Sequence, residues 1–299
     1  MKRALKWLGY VVGAIVALII LAVGTVYAVS SAKFAKSYPT VFESVPVPAD
    51  PASIARGKHL VEAVGKCQSC HGDDLAGKKV LDDPVFAQLT STNLTGGKGG
   101  IGRTFTDVDF VRAIRHGVGK NGKSLYFMPA EAYYNFNDAD LAAIIAYIRT
   151  VPPVDSPVPP QRSIGPIGRA VYLMTPFPLV PASIVPHSAP RPAVVPEGVT
   201  KEYGEYLSKA GGCTSCHGPS LSGGQKVEGV LVRNLTPGDE VGTWSEADFT
   251  KAIRTGVRPN GAILSAIMPW PYAKNMTDDE LRATWMYIHS LPAKKVGEL

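Results

Sequence analysis

Cys67-Gln68-Ser69-Cys70-His71 recurs as Cys213-Thr214-Ser215-Cys216-His217, and the two pentapeptides hold all four cysteines of the 299-residue chain. A C-x-x-C-H spacing puts two thiols and an imidazole on one short turn, the arrangement of c-type haem attachment. The thiols take up the vinyl groups as thioethers, and the adjacent His binds the iron from one face. The motifs therefore predict two haem c groups, held by Cys67 and Cys70 and by Cys213 and Cys216, with His71 and His217 as axial ligands. A pair of redox disulfides is the competing reading, and it leaves the His after each motif unexplained.

The stretches around the motifs also repeat. Asn93-Leu94-Thr95 matches Asn234-Leu235-Thr236, Asp109-Phe110 matches Asp248-Phe249, Ala113-Ile114-Arg115 matches Ala252-Ile253-Arg254, and Tyr147-Ile148 matches Tyr287-Ile288. The chain is thus a tandem duplication of one module, not a short-period solenoid. Each module reads as helical. Thr106-x-x-Asp109 and Ser245-x-x-Asp248 are N-cap patterns opening helices that end near Gly117 and Gly256. Thr277-x-x-Glu280 is a capping box, and Leu141, Ile144, Ile145 and Ile148 form one apolar helical face. With no alternating strand pattern, the expected fold class is all-α: two tandem class I cytochrome c-like domains after a single N-terminal transmembrane helix.

The sixth iron ligand is read from the repeat. Met128 and Met268 stand before proline at equivalent positions, and a thioether there favours ferrous iron. Met174, Met276 and Met286 read as packing. His59, His116, His187 and His289 have no counterpart in the other copy and read as structural, His116 being the best rival ligand. Arg115 and Arg254 could meet haem propionates or end solvated helices. Trp244 and Phe105 read as packing near the haem edge. Asn93 and Asn234 read as turns rather than glycan sites.

From Trp7 to Val29 the chain has 23 uncharged, mostly apolar residues, enough to cross a bilayer core of ~30 Å. Lys2, Arg3 and Lys6 precede this run, so the positive-inside rule predicts a cytoplasmic N-terminus and an outward-facing body. A cleaved signal peptide is the alternative. The net charge of +6 is spread without a basic stripe, which excludes nucleic acid as a partner. Residues 151–200 hold thirteen prolines, yet Val171, Tyr172, Leu173, Met174, Phe177, Leu179 and Val180 make part of this segment too apolar for a solvated spacer. It is expected to pack across the modules or on a partner. The expected organisation is an anchor over 1–31, a juxtamembrane linker over 32–50, a first cytochrome domain over 51–152, a Pro-rich linker over 153–199 and a second cytochrome domain over 200–294.

These residues resemble class I cytochrome c modules. The C-x-x-C-H motifs, the N-L-T triplets, the run Asp109-Phe110-Val111-Arg112-Ala113-Ile114-Arg115-His116-Gly117-Val118-Gly119 and Met128-Pro129 are similar to those of membrane-anchored cytochrome subunits of periplasmic dehydrogenases, such as quinoprotein alcohol dehydrogenase. That resemblance implies an electron carrier on the periplasmic face of the cytoplasmic membrane, itself no enzyme. Its partners would be redox proteins: a dehydrogenase, an oxidase or another cytochrome. The alternatives are a haem c subunit of an oxidase or quinol-oxidising complex, and a di-haem peroxidase.

Overall fold

The computed structural model describes residues 2–38, 44–175, 178–227 and 229–299. Residues 39–43 of the juxtamembrane stretch and Phe177 of the apolar linker segment lie outside the described residues.

Helix α1 (Lys2–Ala35) is exposed along its apolar length and is long and apolar enough to cross a membrane. The first module follows as α2 (Pro51–His59), a π-turn over Leu60–Val64, α3 (Gln68–His71), strands β1 (Lys79–Asp83) and β2 (Ala87–Thr90), α4 (Asp107–His116), α5 (Ala130–Tyr133) and α6 (Asp138–Thr150). The Pro-rich segment contributes β3 (Arg162–Ile164) and α7 (Pro166–Met174). The second module comprises α8 (Lys201–Ala210), α9 (Cys213–His217), strands β4 (Lys226–Val227) and β5 (Val230–Leu231), α10 (Glu246–Thr255), α11 (Trp270–Ala273) and α12 (Asp278–His289).

Local chemistry sets the helix ends. Thr106 with Asp109, Ser245 with Asp248 and Thr277 with Glu280 all close as reciprocal capping boxes, so each helix start has two of its orphan N–H groups satisfied. Gly117 (φ +63°) and Gly256 (φ +72°) end α4 and α10 in the left-handed conformation.

Each module is built on a crossing of its first and last helices at backbone contact. A Cβ placed on Gly57 would lie 1.9 Å from the Ala143 carbonyl oxygen, and one on Gly204 would lie 1.9 Å from that of Ala283. Between crossing and haem motif the copies differ by one residue: Cys67 is ten residues beyond Gly57, Cys213 nine beyond Gly204. The first copy absorbs its extra residue as the π-turn, where the Gly65 amide donates to the Leu60 carbonyl over 2.7 Å.

The all-α expectation is corrected by five strands. β1, β2 and β3 form an antiparallel sheet in that order, with Ala87 opposite Ile164, while β4 and β5 form a small hairpin. Asn93 follows His71 by 22 residues, whereas Asn234 follows His217 by 17, and the extra length in the first copy builds the longer hairpin. Burial alternates only over the four residues of β2, too short a run to mark a strand, and β3 comes from the distant linker.

The Pro-rich segment is no spacer. Ile164, Leu179, Val180 and Ala182 are buried with Tyr38, Ala87, Leu89 and Val118 in one cluster, and Arg191 pairs with Asp138 at the start of α6. The two modules are fused as well: Tyr203, Tyr206, Leu207, Ala210 and Ala283 of the second belong to the main core cluster of the first.

Their junction has approximate twofold character. The α2 side chains reach the start of α12, where His59 Nε2 lies 2.7 Å from Glu280 and Arg56 donates to the same carboxylate. Reciprocally, the Tyr206 hydroxyl of α8 donates to Asp140 of α6 over 2.5 Å, and Asp140 and Glu280 are repeat equivalents. Arg56 ties the halves together, donating to Asp140 at 3.0 Å and to the Tyr203 hydroxyl at 3.0 Å. Burial alone would raise the Glu280 pKa, but the His59 interaction, the Thr277 amide and Arg56 outweigh it and hold the carboxyl below its ordinary value.

Two outcomes are expected. Gly57→Ala or Gly204→Ala forces the crossing helices apart and destabilises the fold by about 1–3 kcal/mol, measured by denaturant unfolding. Because the folded-state pKa of Glu280 is lowered, its stabilising contribution is complete above the ordinary value of 4.5 and is lost as pH falls through the lower folded value. Acid unfolding of Glu280→Gln should therefore begin from a lower neutral-pH stability and lose less on acidification than the parent chain.

Candidate haem sites

Both C-x-x-C-H motifs form short helical turns that start in the left-handed region and end the same way. Lys66 (φ +51°) and Gly212 (φ +77°) precede the first cysteines, and Gly72 (φ +82°) and Gly218 (φ +78°) follow the histidines. The His71 amide donates to the Cys67 carbonyl over 2.8 Å, bringing Cys67, Cys70 and His71 onto one turn.

Each histidine is locked by a backbone carbonyl. His71 Nδ1 lies 2.7 Å from the Thr92 oxygen, and His217 Nδ1 lies 2.7 Å from the Arg233 oxygen. A carbonyl can only accept, so Nδ1 carries the proton and Nε2 presents its lone pair. Burial pushes both imidazole pKa values down and keeps the rings neutral, as a metal ligand must be. Thr92 and Arg233 directly precede the N-L-T triplets, which hold those carbonyls in place. The Asn93 side chain accepts from the Thr95 amide and donates to the Val154 carbonyl over 2.7 Å. Asn234 does the same with Thr236 and the Lys294 carbonyl, also over 2.7 Å. Both asparagines are buried with their amides engaged, which rules out glycan attachment and supports the turn reading.

Each module also presents a half-exposed apolar wall. Cys67, Leu94, Phe105 and Met128 flank the first core, while Cys213, Leu235, Trp244 and Met268 flank the second. These are repeat equivalents, and a flat apolar cofactor between wall and imidazole would cover them. Beside Met128, a cavity of about 530 Å³ is walled by Phe86, Phe127, Pro129, Val171 and Val227. Burial pushes the Cys67 thiol up to about 12 and raises those of Cys213 and Cys216. Redox-active C-x-x-C thiols need the opposite shift. The donor set, the neutral imidazoles and the apolar walls fit a c-type haem in each module.

The sites adjoin. The Lys66 ammonium donates to the Val64 carbonyl at 2.7 Å and to the Gly211 carbonyl at 2.5 Å, crossing from one module to the other. Burial lowers its pKa, and the sulfurs of Cys213, Cys67 and Cys216 are its electrostatic neighbours. The short helix after Met128-Pro129 reaches the second motif, where Glu131 of α5 accepts from Ser215, and burial with the nearby Asp73 and Cys70 raises the Tyr272 pKa in α11. Lys66 was missed by sequence reasoning. Its left-handed φ, shared by its repeat counterpart Gly212, is a tertiary signal.

The remaining residues are structural. His116 Nδ1 lies 3.0 Å from His187 Nδ1, and His187 Nε2 donates to the Ala182 carbonyl, so this pair bonds the linker to α4. His59 belongs to the module junction, and His289 stacks on Trp285. Arg115, itself buried, reaches Asp138 at the start of α6, and Arg254 reaches Asp278 at the start of α12 while staying partly exposed. Met276 packs in the core, but Met174 is 83 % and Met286 41 % exposed, so packing does not account for those two.

Comparison with known proteins gives the same picture. Residues 52–148 match the family described as cytochrome c oxidase, cbb3-type, subunit III, and residues 202–292 match the cytochrome c family. The chain is built of two cytochrome c domains. It is 30 % identical over 285 residues to the fructose dehydrogenase cytochrome subunit of Gluconobacter japonicus, covering 84 % of this chain and 55 % of that protein. It is 31 % identical over 288 residues to the gluconate 2-dehydrogenase cytochrome c subunit of Pantoea cypripedii, covering 84 % and 62 %. It is 26 % identical over 287 residues to a diheme cytochrome c-type protein of Cereibacter sphaeroides, covering 83 % and 91 %. The chain thus spans little more than half the length of the fructose dehydrogenase subunit.

Asn234→Ala should free the Arg233 carbonyl from its turn and leave the part-buried Lys294 carbonyl with only the Thr236 hydroxyl as donor, costing about 1–3 kcal/mol. Denaturant unfolding checks the cost, and the Asn93→Ala variant should match it.

Proposed function

We propose that this chain is an electron carrier holding two haem c groups, through thioethers at Cys67 and Cys70 and at Cys213 and Cys216, with His71/Met128 and His217/Met268 as axial pairs. The observation that supports the reading is the repeat: in both modules a carbonyl-locked, neutral imidazole follows the cysteines, and an equivalent methionine lies among the apolar residues packed beside the core. Bound haem iron supplies a one-electron ferric–ferrous couple whose potential a methionine ligand raises.

The chain's own residues do the rest. Thr92 and Arg233 orient the imidazoles and keep their tautomers. The apolar walls exclude water. Lys66 places a cation between the two attachment turns, and the exchange of α5 and α11 across the junction keeps the sites at a fixed separation, so electrons need no domain motion to pass between them. With α1 as a membrane span and Lys2, Arg3 and Lys6 on the cytoplasmic side, the modules stand on the periplasmic face. The likeness to sugar-dehydrogenase cytochrome subunits supports a periplasmic dehydrogenase as donor, with a further cytochrome or a terminal oxidase as acceptor. A second reading, a haem c subunit of an oxidase, is favoured by the first domain's family match.

The test is redox titration of the haem-loaded chain beside its Met128→Ala and Met268→Ala variants. Each variant is expected to lower one potential only and to open one iron to exogenous ligands such as cyanide. Two unshifted potentials would overturn the Met assignments. Peroxide turnover by the parent protein would replace the carrier reading with a peroxidase. Co-purification from native membranes in mild detergent then separates the two partner readings by the subunit recovered.

A further inference from the structure

α1 runs into the body without a break. Arg169 of α7 donates to the Ser30 and Ser31 hydroxyls at 2.7 and 3.0 Å and lies over the rings of Tyr27 and Phe34 at 4.5 and 5.1 Å. Tyr172 of α7 stacks on Phe34 at 5.3 Å. The apolar run Trp7–Val29 is ~35 Å long at ~1.5 Å per residue, already more than the ~30 Å hydrocarbon core. If α1 spans the bilayer, the turns from Tyr27 to Phe34 lie in the headgroup layer, and α7 lies there with them. α7 shows Ile167, 54 % exposed, and Met174, 83 % exposed, and no acidic residue occurs between Asp155 and Glu197.

At this same level a cleft of about 310 Å³ opens between α1, the loop before Tyr126, β3 and α7. Lys123, Arg162 and Arg169 converge on it, with Ser31 and Asn121 as further polar lining. Arg162 is stacked on Tyr126 at 4.1 Å and Arg169 is held as above, so two guanidinium groups are fixed in place. Among the described residues no carboxylate pairs with Lys123, Arg162 or Arg169. Arg162 also donates to the Ser124 carbonyl and Arg169 to the Ile164 carbonyl, and the three cations gathered on one cleft attract an anion, for which a phosphate suits the remaining guanidinium donors.

We propose that this cleft binds the phosphate headgroup of an anionic phospholipid of the outer leaflet, with Ile167 and Met174 of α7 entering the adjoining interface. The site clamps the body against the bilayer and sets the tilt of both modules over it. The proposal rests on the reading of α1 as a membrane span.

The haem-loaded full chain is reconstituted in nanodiscs of mixed phosphatidylglycerol and phosphatidylcholine, and the lipids it retains on release are counted by native mass spectrometry. The parent should retain phosphatidylglycerol in preference to phosphatidylcholine. Lys123→Gln and Arg162→Gln should each cut that preference about fivefold, while Arg162→Lys should keep most of it. Neither Gln variant touches the helix contacts of Arg169, and an unchanged haem spectrum confirms folding. Equal retention of both lipids, or an unchanged preference in the double variant, overturns the site. Loss of the preference on adding inorganic phosphate overturns a lipid ligand in favour of a soluble anion. A chain that elutes apart from the discs overturns the anchor reading itself, and the lipid site with it.

Discussion

The backbone crossing of first and last helices governs each module. At Gly57 on Ala143 and Gly204 on Ala283 nothing larger than hydrogen fits between the helices. That contact fixes where the first helix ends, and so where the attachment turn begins. It also fixes where the last helix starts, and Asp140 and Glu280 sit in those first turns. The attachment motifs and the buried carboxylates of the module junction are therefore placed by the same two contacts. The π-turn shows how the constraint is met: the one extra residue of the first copy is taken up as a bulge, and both copies keep the same close crossing.

The second organising element is the histidine–carbonyl bond. A ligand imidazole needs a defined tautomer, a defined direction and a neutral ring. The carbonyls of Thr92 and Arg233 set the first two, and burial sets the third. Those carbonyls are positioned in turn by Asn93 and Asn234, which bond to the chain just after the last helix of their own module. The N-L-T triplets thus connect the end of each module to its histidine, a role that their side-chain chemistry permits but does not announce.

Joining two modules adds what neither has alone. The junction buries Arg56 against Asp140 and Glu280, and such a network is stable only when every member is paired. The approximate twofold exchange of α5 and α11 brings each attachment turn under the other module. The Pro-rich segment, which could have been a tether, instead completes a sheet on the first module and grips the end of α1 through Arg169. The end of α1, the Pro-rich segment and both modules are packed together.

Much of this was legible in the residues. The C-x-x-C-H pairs, the repeat, the capping boxes and the long apolar run are local patterns, and short-range bonding and helix periodicity decode them directly. The repeat also pairs Met128 with Met268, and their role as ligands belongs to the proposed function. The three-stranded sheet was not legible, because its third strand pairs with residues far away in the chain and burial alternates only over the short β2. Lys66, the His116–His187 pair and the cleft of Lys123, Arg162 and Arg169 were equally hidden, since each joins residues that no local period relates. The sequence by itself determined that there are two modules, what chemistry each can attach and where its helices begin and end, because those depend on neighbours within a few residues. Only the tertiary structure decided how the modules face each other, which cations stand beside the C-x-x-C-H turns and how α1 meets the body, because burial and long-range pairing are properties of the packed chain.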